Sequence, residues 1–327
     1  MYPFAFIRSQ TIPAAIREAG VKGNKFIAGG TNLIDLMKLD IEQPEALIDI
    51  NGLGLKAIEV AADGRVRIGA LVKNSTLAYH PEIQRRFPLL SEALLSGASA
   101  QLRNMATTGG NMLQRTRCYY FYDPAFPCNK RVPGSGCPAI DGYNRGNAVL
   151  GTSEHCIATH PSDMCVALAA LDPLVFLQGP AGTRTIPFRS LHRLPGSTPH
   201  LENTLYPGEL ITGIELPRLD FASRSHYLKV RDRASYEFAL ASAAVALDIS
   251  GGRIRQARIA LGGVGTKPWR SPEAEAVLAG ATADEATYKR AAEAALRPAK
   301  AYRHNAFKIE LAKRTLVRAL NTTGGMA

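Results

Sequence analysis

Apolar and polar positions alternate along this chain in short runs, and the period of the alternation changes from segment to segment. Residues 4–7 read as a brief strand. Thr11 then caps a helix with Pro13 in its first turn, running through residues 14–19 and stopped by Gly20. Residues 25–28 predict a second strand, broken by Gly29-Gly30. Thr31 or Asn32 starts a helix over residues 33–39, and residues 46–50 predict a third strand. A β–α–β–α–β unit with a right-handed crossover is expected.

Beyond Gly54 the pattern changes. Residues 57–60 and 66–70 suit a hairpin around Asp63-Gly64, with helices predicted over 75–80 and 88–96. Pro161-Ser162-Asp163 caps an apolar helix over 164–171, and strands return at 174–177 and 208–216. Pro217 and the polar residues to about Ser223 read as a connector. Residues 225–230, 238–248 and 253–262 then suit an antiparallel sheet, with helices over 273–279, 284–295 and 304–320 packed on one face. An α+β fold with domains 1–53, 54–220 and 221–327 is expected.

Composition changes this picture little: 46% hydrophobic and 20% charged residues are ordinary for a soluble globular protein. No apolar run approaches a membrane span, so direct membrane insertion is not expected. Met1-Tyr2-Pro3-Phe4 lacks a basic export signal. The formal charge of +11 is spread over scattered lysines and arginines. Docking to an acidic partner, or holding phosphates, accounts for it without nucleic acid.

Candidate chemistry lies in two loops and one cysteine-rich stretch. In Gly29-Gly30-Thr31-Asn32 the glycines let the backbone approach a ligand, and successive N–H groups at a helix start favour a phosphate. The same junction also serves as a plain turn, and without a Gly-x-Gly-x-x-Gly pattern a Rossmann site is not supported. Thr107-Thr108-Gly109-Gly110-Asn111 repeats the arrangement, and two such loops would clamp the two phosphates of one ligand. Cys118, Cys128, Cys137 and Cys156 fall among Pro, Gly and Asn turn-formers, separated by nine, eight and eighteen residues. That spacing fits neither a zinc finger nor a ferredoxin run. An iron–sulfur cluster, a structural zinc and unligated loop thiols all stay open on spacing alone. Few cysteines, odd in number, argue against a disulfide framework. The fifth, Cys165, reads as a small core residue.

Together these runs resemble a known family. Phe26-Ile27-Ala28-Gly29-Gly30-Thr31-Asn32-Leu33 and Thr107-Thr108-Gly109-Gly110-Asn111, with Asp163 and Lys229, are similar to the FAD-binding elements of the xanthine dehydrogenase and carbon monoxide dehydrogenase flavoproteins. The likeness covers nearly the whole chain. It implies a PCMH-type two-subdomain FAD-binding fold, residues 1–53 and 54–220, followed by a C-terminal antiparallel sheet packed with helices. FAD would lie non-covalently between the first two domains. Residues 26–33 would wrap the pyrophosphate, and Thr107, Thr108, Gly110 and Asn111 would close the other side. Asp163 would bond ribityl or adenosine hydroxyls, Lys229 would sit near the isoalloxazine, and Ile211 would pack on the ring. A helix cap and an exposed strand lysine are the plainer roles for Asp163 and Lys229. Arg231, Arg233 and Tyr236 would line the approach.

Most of that family runs from the second diglycine loop almost directly to the Pro-Ser-Asp helix. The insert at about 114–158 is similar to that of a subset carrying an extra 4Fe–4S cluster, the FAD subunits of aldehyde oxidoreductases and 4-hydroxybenzoyl-CoA reductases. Its Arg115-Thr116-Arg117-Cys118, Cys128-Asn129-Lys130-Arg131 and Gly136-Cys137 segments resemble the former more closely. The resemblance implies that each of Cys118, Cys128, Cys137 and Cys156 ligates one iron. Arg115, Arg117, Lys130 and Arg131 would supply compensating charge, and Tyr119-Tyr120-Phe121-Tyr122 would exclude water. His155 and His160 would cap or pack. It also implies a large molybdenum-cofactor subunit and a small 2Fe–2S subunit as partners, with electrons leaving through FAD to an external acceptor. Folding in the cytoplasm is expected, with the periplasm reached only beside a signal-bearing partner. A reductase of aromatic thioesters and a zinc-stapled docking module are the rival readings.

Overall fold

The computed structural model describes residues 1–326; Ala327, the last residue of the third expected domain, lies outside them. Strands β1 (Ala5–Arg8), β2 (Lys25–Ile27) and β3 (Ala46–Asp49) form a parallel sheet in the order β1–β3–β2. Helices Ile12–Ala19 and Leu33–Lys38 make the crossovers. Thr11 Oγ1 accepts the N–H of Ala14, and Pro13 occupies the first turn, where a missing N–H costs nothing. Ala46, Leu47 and Ile48 on the central strand are buried.

A five-stranded antiparallel sheet follows. It contains β4 (Ile58–Val60), β5 (Val66–Gly69), β6 (Leu174–Gly179), β7 (Gly182–Pro187) and β8 (Leu210–Leu216), in the order β4–β5–β8–β6–β7. Edge strand β7 was not expected, because Gly-Thr-Arg-Thr shows no apolar alternation. The helix expected over 75–80 is Asn74–Ala78, and an unexpected second helix, Pro81–Arg86, follows it. Pro81 drives His80 out of helical geometry, to ψ 126°, and so separates them.

The third sheet holds β9 (Ser225–Val230), β10 (Ala241–Ser250), β11 (Arg253–Gly262) and the short β12 (Trp269–Arg270), in the order β12–β11–β10–β9. Helices Pro272–Leu278, Glu285–Leu296 and Phe307–Gly324 belong to this last region, and their apolar sides share one core with Ala243, Val245 and Leu247 of β10. The intervening Ala244 and Ala246 face the other way, into the core of the second sheet. Between the two sheets runs the helix Asp163–Leu171, buried along its whole length, which is why it is apolar all round. No helix among the described residues is long and apolar enough to cross a membrane.

Candidate functional site

The two diglycine loops meet. A Cβ on Gly29 would lie 2.1 Å from the Met105 carbonyl oxygen, so only glycine permits this approach. Gly30 has φ +72°, in the left-handed region, and its Cβ would fall 2.7 Å from Ile34 Cδ1. Asn51 holds the first loop by donating to the Ala28 carbonyl at 2.9 Å. In the second loop, Thr107 Oγ1 accepts the Gly110 N–H at 3.3 Å. Thr108 is fully buried and gives both its N–H and its hydroxyl to the Val72 carbonyl, so it anchors the loop and does not line the crevice.

Beside this contact lie two adjoining lobes. One, of about 1360 Å³, is bounded by Phe26, Ile27, Ala28, Leu33, Tyr206 and Ile211. The other, of about 1030 Å³, is bounded by Asn111, Arg117, Asp163, Lys229 and Tyr236. Thr31, Asn32 and Gly110 line both and form the waist. Two lobes joined at a waist of small residues and a helix start suit a dinucleotide, with its phosphates at the waist. Asn74, buried in the second lobe, has an Oδ1 without any partner, an acceptor waiting for a ligand N–H or O–H.

Ile211 lines the first lobe and Lys229 the second. Lys229 is not an exposed strand lysine. Its side chain is 4% exposed and its Nζ donates to Asp163 Oδ2 at 2.8 Å and to the Ser96 carbonyl at 3.1 Å. Tyr227 donates its hydroxyl to Asp163 Oδ1 at 2.6 Å, and burial beside that carboxylate drives the phenol well above its ordinary pKa. Ser162, not Asp163, caps the helix, accepting the Cys165 N–H at 3.0 Å. Asp163 therefore fixes Lys229 against the second lobe. Arg231 and Arg233 spend N–H groups on the carbonyls of Ala234, Ser235 and Tyr236, shaping their own loop; only Tyr236, at φ 53°, lines the crevice.

The insert folds around polar side chains. Arg131 donates to the carbonyls of Tyr120, Phe121, Asp123 and Phe126. Asn129 accepts the Gly136 N–H at 2.8 Å and donates to the His155 carbonyl at 2.9 Å, joining the loops of Cys128, Cys137 and Cys156. Arg115 pairs with Glu42 at 2.6 Å and Glu202 at 3.1 Å, and Lys130 with Glu202 at 3.1 Å. Burial pushes the Glu202 carboxyl up, but these two cations outweigh it and hold it below the usual range. The aromatic run is a one-turn helix, Tyr119–Tyr122, that buries Phe121 completely and leaves Tyr119 exposed at 65%. The expected water-excluding wall thus reduces to Phe121, because a single turn points its side chains in different directions.

The four thiols lie near enough for their charges to act on one another. Each of Cys118, Cys137 and Cys156 is raised in pKa chiefly by burial, Cys156 to about 12, and each is raised further by other thiols of the set. Cys118 accepts from Asn147 Nδ2 at 3.5 Å and Cys156 from the Ala158 N–H at 3.4 Å, the donor pattern that bound thiolates need. Among the described residues, no three of these sulfurs lie within 4.8 Å of one another. A tetrahedral zinc with bonds of about 2.3 Å would draw them to roughly 3.8 Å. The donors are all soft thiols, a set that suits zinc and iron–sulfur groups alike.

Cys165 is fully buried, away from the quartet's loops, with its sulfur close to His160 and His192. Lys130 and Arg117 already oppose positive charge at His160, which disfavours a cation there. His155 is exposed, and His160 packs edge-on to His192 at 4.6 Å. Burial draws the His192 pKa down to about 4. As pH falls, the unfolded chain takes up this proton first, so the stabilisation is complete above about 6.5 and drains away toward 4. Roughly 3 kcal/mol is at stake. His192→Gln is expected to flatten the acid limb of a melting-temperature profile between those values; an unchanged limb excludes the ring as its source.

The paired loops, the bilobed crevice and the sheet-and-helix third region define a flavoprotein subunit. The chain belongs to the family of FAD-binding subunits of molybdenum-containing oxidoreductases. Residues 3–219 match the family described as FAD binding domain in molybdopterin dehydrogenase, and residues 226–323 the CO dehydrogenase flavoprotein C-terminal domain. The chain is 52% identical to the aldehyde oxidoreductase FAD-binding subunit PaoB of Escherichia coli, over 98% of both chains. It is 29% identical to the glyceraldehyde dehydrogenase medium chain of Sulfolobus acidocaldarius, over 84% of this chain and 81% of that one. A solved carbon monoxide dehydrogenase of Hydrogenophaga pseudoflava, lacking the Mo-pyranopterin moiety, matches with a TM-score of 0.76 at 27% identity, over 99% of this chain and 98% of that one.

Asn129, Asn147 and Lys229's tie to Asp163 carried no sequence signal. Loop asparagines are common, and Asp163 and Lys229 are 66 positions apart.

Proposed function

We propose that this chain is the FAD- and 4Fe–4S-carrying electron-transfer subunit of a molybdenum hydroxylase that oxidises aldehydes to carboxylic acids. The observation that carries the reading is the insert: four thiols close enough to act on one another's charge, beside a crevice shaped for a dinucleotide. The high identity to an aldehyde oxidoreductase subunit supports the substrate class.

FAD, when bound, supplies what no side chain has: it takes electrons singly and gives them up in pairs. Residues 26–33, Thr107, Gly110 and Asn111 hold the phosphates by backbone N–H groups and small side chains, and Thr108 keeps their loop in register. Asp163 holds Lys229 at the second lobe, and Ile211 gives the first lobe an apolar floor. Cys118, Cys128, Cys137 and Cys156 each ligate one iron of a 4Fe–4S cluster, which supplies one-electron exchange. Residues 1–53 and 54–220 form the two halves of the flavin cradle, and 221–327 a buttress behind Lys229. A large molybdenum subunit and a small 2Fe–2S subunit complete the complex. Cluster assembly keeps folding in the cytoplasm, and any export follows a signal-bearing partner.

Anaerobic addition of an aldehyde to the co-purified complex tests this. Bleaching of flavin absorbance within the turnover time is expected. No bleaching by any aldehyde, with oxidation of the reduced flavin by an aromatic acyl thioester, transfers the chain to the reductase reading.

A further inference from the structure

The first turn of the last helix, Phe307–Gly324, reaches onto the cysteine insert. Lys308 there is enclosed, at 0% exposure. Its ammonium donates to the carbonyls of Gly146 at 3.1 Å and Asn147 at 3.0 Å. Asn305 adds bonds to the Asn147 and Ala148 carbonyls at 3.4 and 3.2 Å. Among the described residues no carboxylate pairs with Lys308, and the charge that perturbs it, Arg145, has the same sign. A buried ammonium without a counter-ion is costly, and burial draws its pKa down to about 7.

Through Asn147 the bonding around Lys308 leads to a thiol. Asn147, whose carbonyl accepts from Lys308, turns its side-chain amide to Cys118 Sγ at 3.5 Å. One residue thus bridges the ammonium and the sulfur. The other cations around the quartet each have a further partner. Lys130 lowers the pKa of Cys156 but shares its charge with Glu202, Arg145 is paired with Asp232 at 2.6 Å, and Arg131 is spent on carbonyls. Arg117 stacks between the rings of Tyr122 and Phe238, at the second lobe of the crevice.

We infer that Lys308, with Asn147, is the counter-charge of the group held by Cys118, Cys128, Cys137 and Cys156, and raises its reduction potential. The inference rests on the cluster reading of the insert. Adding an electron makes a thiolate-bound cluster more negative, so a fixed cation in a low-dielectric interior, and an amide aimed at a sulfur, both favour the reduced form. Lys308 is a positioning residue: it touches the Asn147 backbone and not the sulfurs themselves.

Lys308→Gln separates charge from stitching, since glutamine keeps an N–H donor for the two carbonyls but carries no charge. The complex is titrated anaerobically and followed by electron paramagnetic resonance, with iron, sulfide and flavin measured on the same samples. At the potential where the unaltered protein is half reduced, the variant is expected to show a reduced-to-oxidised ratio roughly tenfold lower, with iron and flavin retained. Retained iron with an unmoved midpoint overturns the inference. If Lys308→Gln loses iron, Asn147→Ser gives the reading, leaving the ammonium in place but withdrawing the amide: a lower midpoint upholds the inference and an unmoved one overturns it. Unaltered protein without iron or sulfide sinks the cluster reading itself, a distinct outcome.

Discussion

Gly29→Ala is expected to lose the flavin while keeping the fold. The added methyl carbon would sit 2.1 Å from the Met105 carbonyl oxygen and 2.8 Å from its carbon, far inside contact distance. The second loop cannot yield cheaply, because three bonds pin it. Lys73 Nζ donates to the Met105 carbonyl at 2.8 Å, the Asn74 N–H to the Ala106 carbonyl at 2.9 Å, and the Thr108 N–H to the Val72 carbonyl at 2.9 Å. Overpacking of this kind costs about 1–3 kcal/mol, and here it separates the two walls of the waist. Flavin occupancy after gel filtration is therefore expected to fall at least about tenfold. Gly54→Ala is the control, since its methyl would meet nothing within 4 Å. Full flavin retention in Gly29→Ala would show that the waist is not where the phosphates lie.

Cys156→Ser is expected to abolish bound iron. Cys156 is 4% exposed, and a serine oxygen is a poor ligand for iron–sulfur chemistry, where soft thiolate is preferred. Three remaining thiols, raised in pKa or partly exposed, are not expected to hold a stable cluster. Asn129 ties the neighbouring His155 carbonyl to the Cys128 and Cys137 loops, so the loss should loosen the insert and lower the melting temperature. Flavin should stay, because the diglycine loops lie outside the insert. Cys165→Ser, in the core, should leave iron unchanged. Iron at full stoichiometry in Cys156→Ser removes this residue from the ligand set.

The first fifty residues are legible because period, cap and breaker agree there: Thr11 caps, Pro13 starts and Gly20 stops the helix in the structure as in the sequence. Strand β7 is hidden because a polar edge strand carries no alternation, and β12 because two residues carry no period at all. The diglycine loops announce themselves through their glycines, which in the first loop leave no room for a Cβ. Their division of labour does not, since nothing local marks Thr108 as an anchor or assigns Ile211 and Lys229 to separate lobes. The cysteine spacing is silent about convergence because the intervening loops are closed by side chains far apart in sequence, Asn129 to His155 and Lys308 to Asn147. Lys308 reads in the sequence as one more polar position on an amphipathic helix; its isolation appears only once the insert is folded over it.

Anaerobic isolation of the native complex, with flavin, iron and acid-labile sulfide measured per chain of this subunit after its separation, tests the central claim most directly. About one FAD with about four irons and four sulfides is the predicted content. A colourless subunit holding a single zinc, with neither flavin nor sulfide, would contradict it.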